Sequence, residues 1–330
     1  MFYCLIMHTE LHRHLDASFR PATLLELIKK FSIPVPFKTE DELKNKFWIT
    51  KPMRTLKEVL DCFVLFQKIL LSEEVLERVA FEAVEDASKE GIQFLELRYS
   101  PAFTSEYSRI PWEKALHAFI RGLQHGIKKT KIKVGLICIV SRDYGVKVAM
   151  ETIDFALSHK NFFIGVDLAG NEVQYPCRIF KDVFQKAKNY GFPVTIHAGE
   201  GAGAESIWEA IDLLGATRIG HGIAALSDPV LLKRLEKDQI LIETCPTSNI
   251  MTGSVKNWKS HPLPTFLEAG IPVSISTDDP GIFGVTLPDE QKRCLEWIGL
   301  KDSDMKKIDG YAHTHSFLNV TGYTGAFNLM

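Results

Sequence analysis

Residues 193–222 read PVTIHAGEGAGAESIWEAIDLLGATRIGHG, and the order in this stretch is strand, helix, strand. Residues 193–196 form a short apolar run of the kind a buried strand shows, and His197 and Glu200 follow directly. Ile207, Ala210, Ile211 and Leu214 then recur at i, i+3, i+4 and i+7, one apolar helix face, and Gly215 stands where the helix is expected to end. Residues 217–220 predict a second short strand, which delivers His221. Parallel strands joined by a helix point the same way, so the three reactive side chains emerge at one end. That is the end where parallel α/β folds gather their ligands.

The same alternation continues on both sides. Residues 7–13 predict a first strand running into Glu10-Leu11-His12-Arg13-His14-Leu15-Asp16. Alternate side chains of a strand share a face, so His12 and His14 point together. Further strands are expected at 92–98, 132–140, 162–168, 240–244 and 272–276, making eight. Helical patterns fill most of the gaps: 22–31, 55–89, 112–129, 146–157, 179–189, 229–237 and 261–270, with a helical tail from 302 to 317. The expected fold is α/β, a (β/α)8 TIM barrel in a single domain spanning 1–330, with additional helices over the C-terminal mouth. An open doubly wound sheet fits less well. No GxGxxG follows an early strand, and the candidate residues lie at the ends of strands one, four, five, six and eight, which converge only if the sheet closes. The less regular residues 32–54 are expected to form a lid or small insertion over the site.

A 330-residue chain that is 45% hydrophobic with a net charge of −2 buries a substantial core and lacks the basic footprint of a nucleic-acid binder. A small polar substrate is expected. The six cysteines, Cys4, Cys62, Cys138, Cys177, Cys245 and Cys294, show no CxxC and no paired close spacing, so neither a disulfide framework nor a thiolate metal site is indicated. The apolar residues 1–7 lack a basic n-region and a cleavage site, and no run reaches membrane-spanning length. The expectation is a soluble, cytoplasmic protein with no membrane partner.

A catalytic zinc takes three or four nitrogen and carboxylate ligands and leaves a position for water. His12, His14 and His197 offer three nitrogens and Asp278, in Ser276-Thr277-Asp278-Asp279-Pro280, a carboxylate; Glu200, His221 and Asp279 are left as acid–base and hydrogen-bonding groups in the same mouth. Singly, each has an ordinary explanation. A His-x-His arises by chance, a lone histidine sits hydrogen-bonded in many cores, Asp before Pro favours a turn, and Gly201-Ala202-Gly203 is weak evidence for a phosphate cradle. Together, at the strand ends of one barrel, they point to a metal centre. His8, His117, His125, His159, His261, His313 and His315 show no partner pattern and are not expected to be ligands, and Cys245 is expected to be structural rather than a nucleophile.

Thr9 to Asp16, Glu96-Leu97-Arg98-Tyr99-Ser100-Pro101, Asp167-Leu168-Ala169-Gly170, His197-Ala198-Gly199-Glu200, Gly220-His221-Gly222, Cys245-Pro246-Thr247-Ser248-Asn249 and Ser276 to Pro280, in that order, resemble the adenosine deaminase family of metal-dependent hydrolases. The likeness runs from about Thr9 to Leu318. It implies one Zn2+ per chain, held by His12, His14, His197 and Asp278, and it implies that Glu200 protonates purine N1, that His221 stands beside the activated water, and that Asp278 helps take its proton. It further implies substrate contacts from Asp279 to N7, from the Gly170 N–H to N3, and from Asp16 to the ribose 5′-hydroxyl, with His14 beside them. The implied reaction is hydrolytic deamination of adenosine or 2′-deoxyadenosine to inosine or 2′-deoxyinosine and ammonia.

Other 6-aminopurines, among them adenine, N6-modified adenine nucleotides and 5′-modified nucleosides, are the nearest alternatives; Asp16 favours a hydroxyl-bearing sugar. A binuclear hydrolase of the same barrel is disfavoured because strand four ends in Leu168-Ala169-Gly170-Asn171 with no bridging lysine, and a nucleic-acid base deaminase because Pro176-Cys177-Arg178-Ile179 breaks the P-C-x-x-C pattern. The intact ligand set argues against a non-enzymatic relative. Two departures stand out: Ala17 where the family commonly has Gly, expected to tighten the ribose end, and a short Gly-rich tail beyond Leu318.

Overall fold

The computed structural model describes residues 8–53 and 56–320. The apolar opening and the Gly-rich end of the tail therefore lie outside the described residues. Eight parallel strands occur in chain order: β1 (His8–His14), β2 (Ile92–Tyr99), β3 (Lys133–Ser141), β4 (Gly165–Ala169), β5 (Thr195–Ala198), β6 (Arg218–His221), β7 (Leu241–Thr244) and β8 (Val273–Ile275). Continuous ladders join β1 to β4 and β5 to β8. The two halves meet through single bridges, Val166 with Val194 and Arg13 with Asp278. The second is anchored by His14 N–H to Asp278 O at 2.8 Å and Asp278 N–H to His12 O at 3.0 Å. The expected (β/α)8 barrel is what forms.

Among the described residues sixteen α-helices accompany the strands: α1 (Pro21–Lys30), α2 (Glu40–Lys46), α3 (Leu56–Gln67), α4 (Glu73–Lys89), α5 (Pro101–Ser108), α6 (Trp112–Thr130), α7 (Gly145–Ser158), α8 (Lys181–Asn189), α9 (Ala204–Asp212), α10 (Pro229–Lys237), α11 (Pro246–Met251), α12 (Leu263–Glu268), α13 (Pro280–Phe283), α14 (Leu287–Arg293), α15 (Asp302–His315) and α16 (Phe317–Val320). The outer helices follow their amphipathic patterns; α4 buries Val75, Leu76, Val79 and Ala83 and starts from a Ser72 cap. Its contact with α6 is close because Gly122 faces it: a Cβ there would lie 2.0 Å from Glu77 O. Strand four starts at Gly165 rather than 162, because Phe162 closes a turn onto His159 O. No described helix is long and apolar enough to cross a membrane.

Residues 32–53 contain α2 and are tied down by Ile49 N–H to Ile282 O at 3.0 Å and Met53 N–H to Met251 O at 2.7 Å. None of them lines the cavity at the mouth. Phe63 and Gln67 of α3 and Phe103 of α5 do so instead.

The interior of the barrel is charged where most barrels are apolar. Arg98 Nη1 meets Asp167 Oδ2 and Arg98 Nη2 meets Glu243 Oε2, each at 2.9 Å, and Arg218 Nε meets Glu243 Oε1 at 2.7 Å. All four side chains are buried. Removing one partner strands the others without water, so the set is held together by mutual compensation. Arg218 also pairs with Glu96 at 2.7 Å and lies over the Phe317 ring, so α16 closes the floor.

Candidate metal centre and active site

β1 presents His12 and His14 on the interior face, as the alternation predicts, and β5 brings His197 across the barrel. One ligand atom from each, together with an Asp278 oxygen, forms a group whose members all lie within 4.8 Å of one another. Asp278 Oδ1 is 3.2 Å from His12 Nε2 and 3.3 Å from His14 Nε2. Each of two histidines has its other nitrogen committed: His12 Nδ1–H donates to Glu243 at 2.7 Å, and His197 Nδ1–H donates to Asp167 at 3.0 Å. Burial opposes ionisation of both carboxyls, yet Arg98 and Arg218 hold Glu243 well below the usual range, and His197 and Arg98 do the same for Asp167. Burial lowers His12, and it pushes His197 down to about 3, so both rings are neutral.

The two Nε2 atoms therefore face each other as lone pairs 3.0 Å apart. Such an arrangement calls for positive charge between them. His14 tells the same story: burial alone would lower it, but Asp279, Asp278 and Asp16 raise it to about 9. Three imidazole nitrogens and one carboxylate, each imidazole of the opposed pair oriented by a second carboxylate, fit a divalent cation such as zinc.

Above this cluster opens a cavity of about 290 Å3 lined by His14, Asp16, Gly170, His197, Glu200, His221, Asp278 and Asp279 among others. The structure thus gathers every candidate named from the sequence, with His12 just beneath. His221 Nε2 lies 3.6 Å from Glu200 Oε2 and 3.9 Å from Asp278 Oδ2. His221 and Asp278 both have φ of +62°, a region non-glycine residues seldom occupy and whose strain the surrounding bonds must offset. Gly170, which lines the cavity, has φ of +109°, and a Cβ there would meet Asp143 Oδ2 at 2.1 Å, so this turn keeps its shape only with glycine in place.

Burial raises the pKa of Glu200, with Asp278 and Glu172 adding to the effect and His221 opposing it. Burial, then Asp278, raises Asp279 well above the carboxylate range. Glu200 Oε1 and Asp279 Oδ1 are buried with no hydrogen-bond partner. Ala17 is buried in the core and does not line the cavity, so the extra methyl leaves the ribose end as it is.

Sequence reasoning missed the supporting layer. Glu172 accepts from Gly199 N–H at 3.0 Å, from Ala202 N–H and from Ser206 Oγ at 3.1 Å, holding the loop that carries Glu200. The Ala202 N–H is thereby spent, which removes the phosphate-cradle reading of Gly201-Ala202-Gly203. Asp167 and Glu243 orient two of the candidate ligands, and His261, not expected to be a ligand itself, stands behind Asn249, which contacts His221. The signal for the first two was present as acids inside otherwise apolar strands. Cys245 is buried, and its thiol is raised well above its ordinary value by burial and by Asp278, so it stays protonated, as its structural assignment requires.

Glu290, on α14, accepts the Thr247 N–H with both oxygens at 3.1 and 3.2 Å and so seats α11. Burial pushes it up to about 8 from an ordinary 4.5, against the pull of Thr247 and Arg293. The folded protein then binds this proton where the unfolded chain does not, and stability falls as pH rises from about 4.5 through about 8. Glu290→Gln is expected to flatten that slope and to gain on the order of 1–5 kcal/mol at pH 9 relative to its difference at pH 4. Urea midpoints of both proteins at the two pH values check it; parallel curves would refute it.

Residues 8–324 match the adenosine deaminase family. A protein from Shewanella loihica named adenosine deaminase is 38% identical over 299 residues, covering 91% of this chain and 90% of its own. An adenine deaminase from Arthrobacter aurescens superposes with a TM-score of 0.87 at 25% identity, over 94% of this chain and 93% of that one. An Arabidopsis N6-mAMP deaminase does so at 0.84 and 27%, over 100% of both. A family match along nearly the whole chain, a relative of such identity and the shared barrel agree with one another: the chain belongs to the adenosine deaminase family.

Proposed function

We propose that this protein hydrolyses the C6 amino group of adenosine and 2′-deoxyadenosine, releasing ammonia and the 6-oxopurine nucleoside, with one Zn2+ per chain on His12, His14, His197 and Asp278. The observation that carries this reading is the pair of unpartnered buried carboxyl oxygens, Glu200 Oε1 and Asp279 Oδ1, in one cavity that Gly170 also lines. Both carboxyls are held toward the protonated form, so each is a donor. A 6-aminopurine presents three acceptors, N1, N3 and N7. Glu200, Gly170 and Asp279 match them in number and kind, and a base lacking one would leave a buried donor unpaired.

Bound at the four ligands, the zinc supplies Lewis acidity that brings the pKa of water to about 7. Asp278 Oδ2 accepts the proton of the attacking water as its oxygen adds to C6. Glu200 gives its proton to N1, so the electrons displaced from C6 are neutralised where they collect. The amino nitrogen takes up the proton held by Asp278 and leaves as ammonia, and the C6 hydroxyl gives its proton back to Glu200 as it becomes the carbonyl. Asp279 and Gly170 hold the ring in plane, and Asp16, which also accepts the Ser100 N–H at 3.2 Å, accepts the 5′-hydroxyl.

The lining also separates the alternatives. Besides Glu200 and Asp279, which are held toward the protonated form, Asp16, Asp143, Glu172 and Asp278 line the cavity, and among the described residues no Lys or Arg does. A 5′-phosphate would enter a field of its own sign. Free adenine would leave the polar end at Asp16, Ser100, Ser141 and Tyr144 unfilled. With turnover followed by the change in purine absorbance, which reports loss of ammonia and of methylamine alike, kcat/KM for adenosine is expected to exceed that for adenine and for N6-methyl-AMP by at least about 10²-fold. Preferred turnover of either competitor would overturn the nucleoside reading.

A further inference from the structure

Two side chains outside the cavity's reacting set line up behind His221. His261 sits in the turn before α12, fully enclosed at 3% exposure, and Asn249 lies on α11 at 0%. The Leu263 backbone N–H lies 3.2 Å from His261 Nδ1. A backbone amide only donates, so Nδ1 is an acceptor and the ring proton of neutral His261 is on Nε2. That Nε2 is 3.3 Å from Asn249 Oδ1. The bond fixes the orientation of the amide and turns its Nδ2 toward His221 Nδ1 at 3.0 Å. An amide NH2 also only donates, so His221 Nδ1 is an acceptor in its turn.

We propose that His261 is a positioning residue which, through Asn249, fixes His221 in the tautomer with its proton on Nε2, the nitrogen that faces Glu200 and Asp278. The direction of every bond in the relay follows from one backbone amide at its far end. Burial, which lowers His261 to about 3, keeps it neutral and the relay intact at working pH. Without the relay, His221 is free to carry its proton on Nδ1 and to turn a lone pair, rather than a donor, into the site.

Resting on the deaminase reading, the assignment sharpens it. Neutral His221 donates a hydrogen bond into the site from Nε2 and has no lone pair there to take a proton from water, so Asp278 is the group that accepts it. His221 serves to hold the attacking oxygen in line with C6.

The test is an imidazole 15N–1H correlation spectrum of the zinc-loaded protein, which distinguishes the two tautomers through their two-bond couplings and needs no substrate. The parent is expected to show His221 as the Nε2–H form. Asn249→Asp replaces the donor facing Nδ1 by an acceptor of the same shape; it is expected to move the proton to Nδ1, to keep the zinc, and to lower kcat by about 10²–10⁴-fold with KM within about threefold. His261→Leu is expected to give a mixture of tautomers and a smaller loss of kcat, and His261→Gln, whose amide places an N–H near the Nε2 position, to restore both. An Nδ1–H tautomer in the parent, or an unchanged tautomer in Asn249→Asp and His261→Leu, would overturn the proposal, and the parent spectrum decides it even if a variant does not fold. Because the spectrum is read without substrate, it stands apart from any failure of the panel of purines to turn over.

Discussion

Glu200→Gln is expected to purify with its metal and to turn adenosine over about 10²–10⁴-fold more slowly than the parent, or below detection. The substitution keeps the shape of a buried side chain and its capacity to hydrogen-bond, but an amide does not release a proton to N1. Glu200 is not among the four proposed ligands, and it pairs with His221 at 3.6 Å, so the metal content should not change. The defect should fall on kcat, because the interaction being removed grows as charge reaches N1. The pH profile gives a second reading. Burial raises the Glu200 pKa, so the active protonated form is present below that raised value and activity is lost as pH climbs through it. Residual activity of Glu200→Gln should lack this limb. Zinc content by atomic absorption together with kcat/KM from pH 5 to 9 decides the matter, and a near-normal rate would remove Glu200 as the acid.

Asp278→Ala should lose metal and activity together. Its carboxylate is the single oxygen in the donor set, lies within 3.3 Å of both β1 histidines, and is also the proton acceptor in the proposed chemistry. Less than a tenth of the parental zinc and at least about a 10⁴-fold loss of kcat/KM are expected. The backbone complicates the interpretation, since at φ +62° alanine costs about 1 kcal/mol that Asp and Asn tolerate better. Asp278→Asn controls for this by keeping the shape and removing the charge. If Asn binds zinc as the parent does while still failing to turn over, the residue acts on the water alone and not as a ligand.

The strands that deliver the chemistry were legible because each is a short apolar run ending in a reactive residue, and the spacing of His12 and His14 already implied a shared face. The charged interior was not. Asp167 and Glu243 stand out as acids inside apolar strands, but their pairing with Arg98 and Arg218 arises only when the sheet closes and turns that face inward. Nor were the short helices at the mouth, α5, α11 and α13. Each begins with proline one or a few residues after a strand, Pro101, Pro246 and Pro280, and proline suits a first helical turn as well as the bare turn that Asp before Pro also favours. Glu172 and His261 act across 27 and 12 residues of chain on Gly199 and Asn249, and local patterns carry no record of such partners.

The single bridge between Arg13 and Asp278 joins the first strand to the residue that follows the last. On a ribosome, His12 and His14 emerge long before Asp278, so the nascent chain carries two exposed imidazoles before it owns the rest of the proposed cage. Metal capture is therefore a late event that waits for the barrel to close. Any ion picked up earlier by the paired histidines has to be held loosely enough to be exchanged when Asp278 arrives.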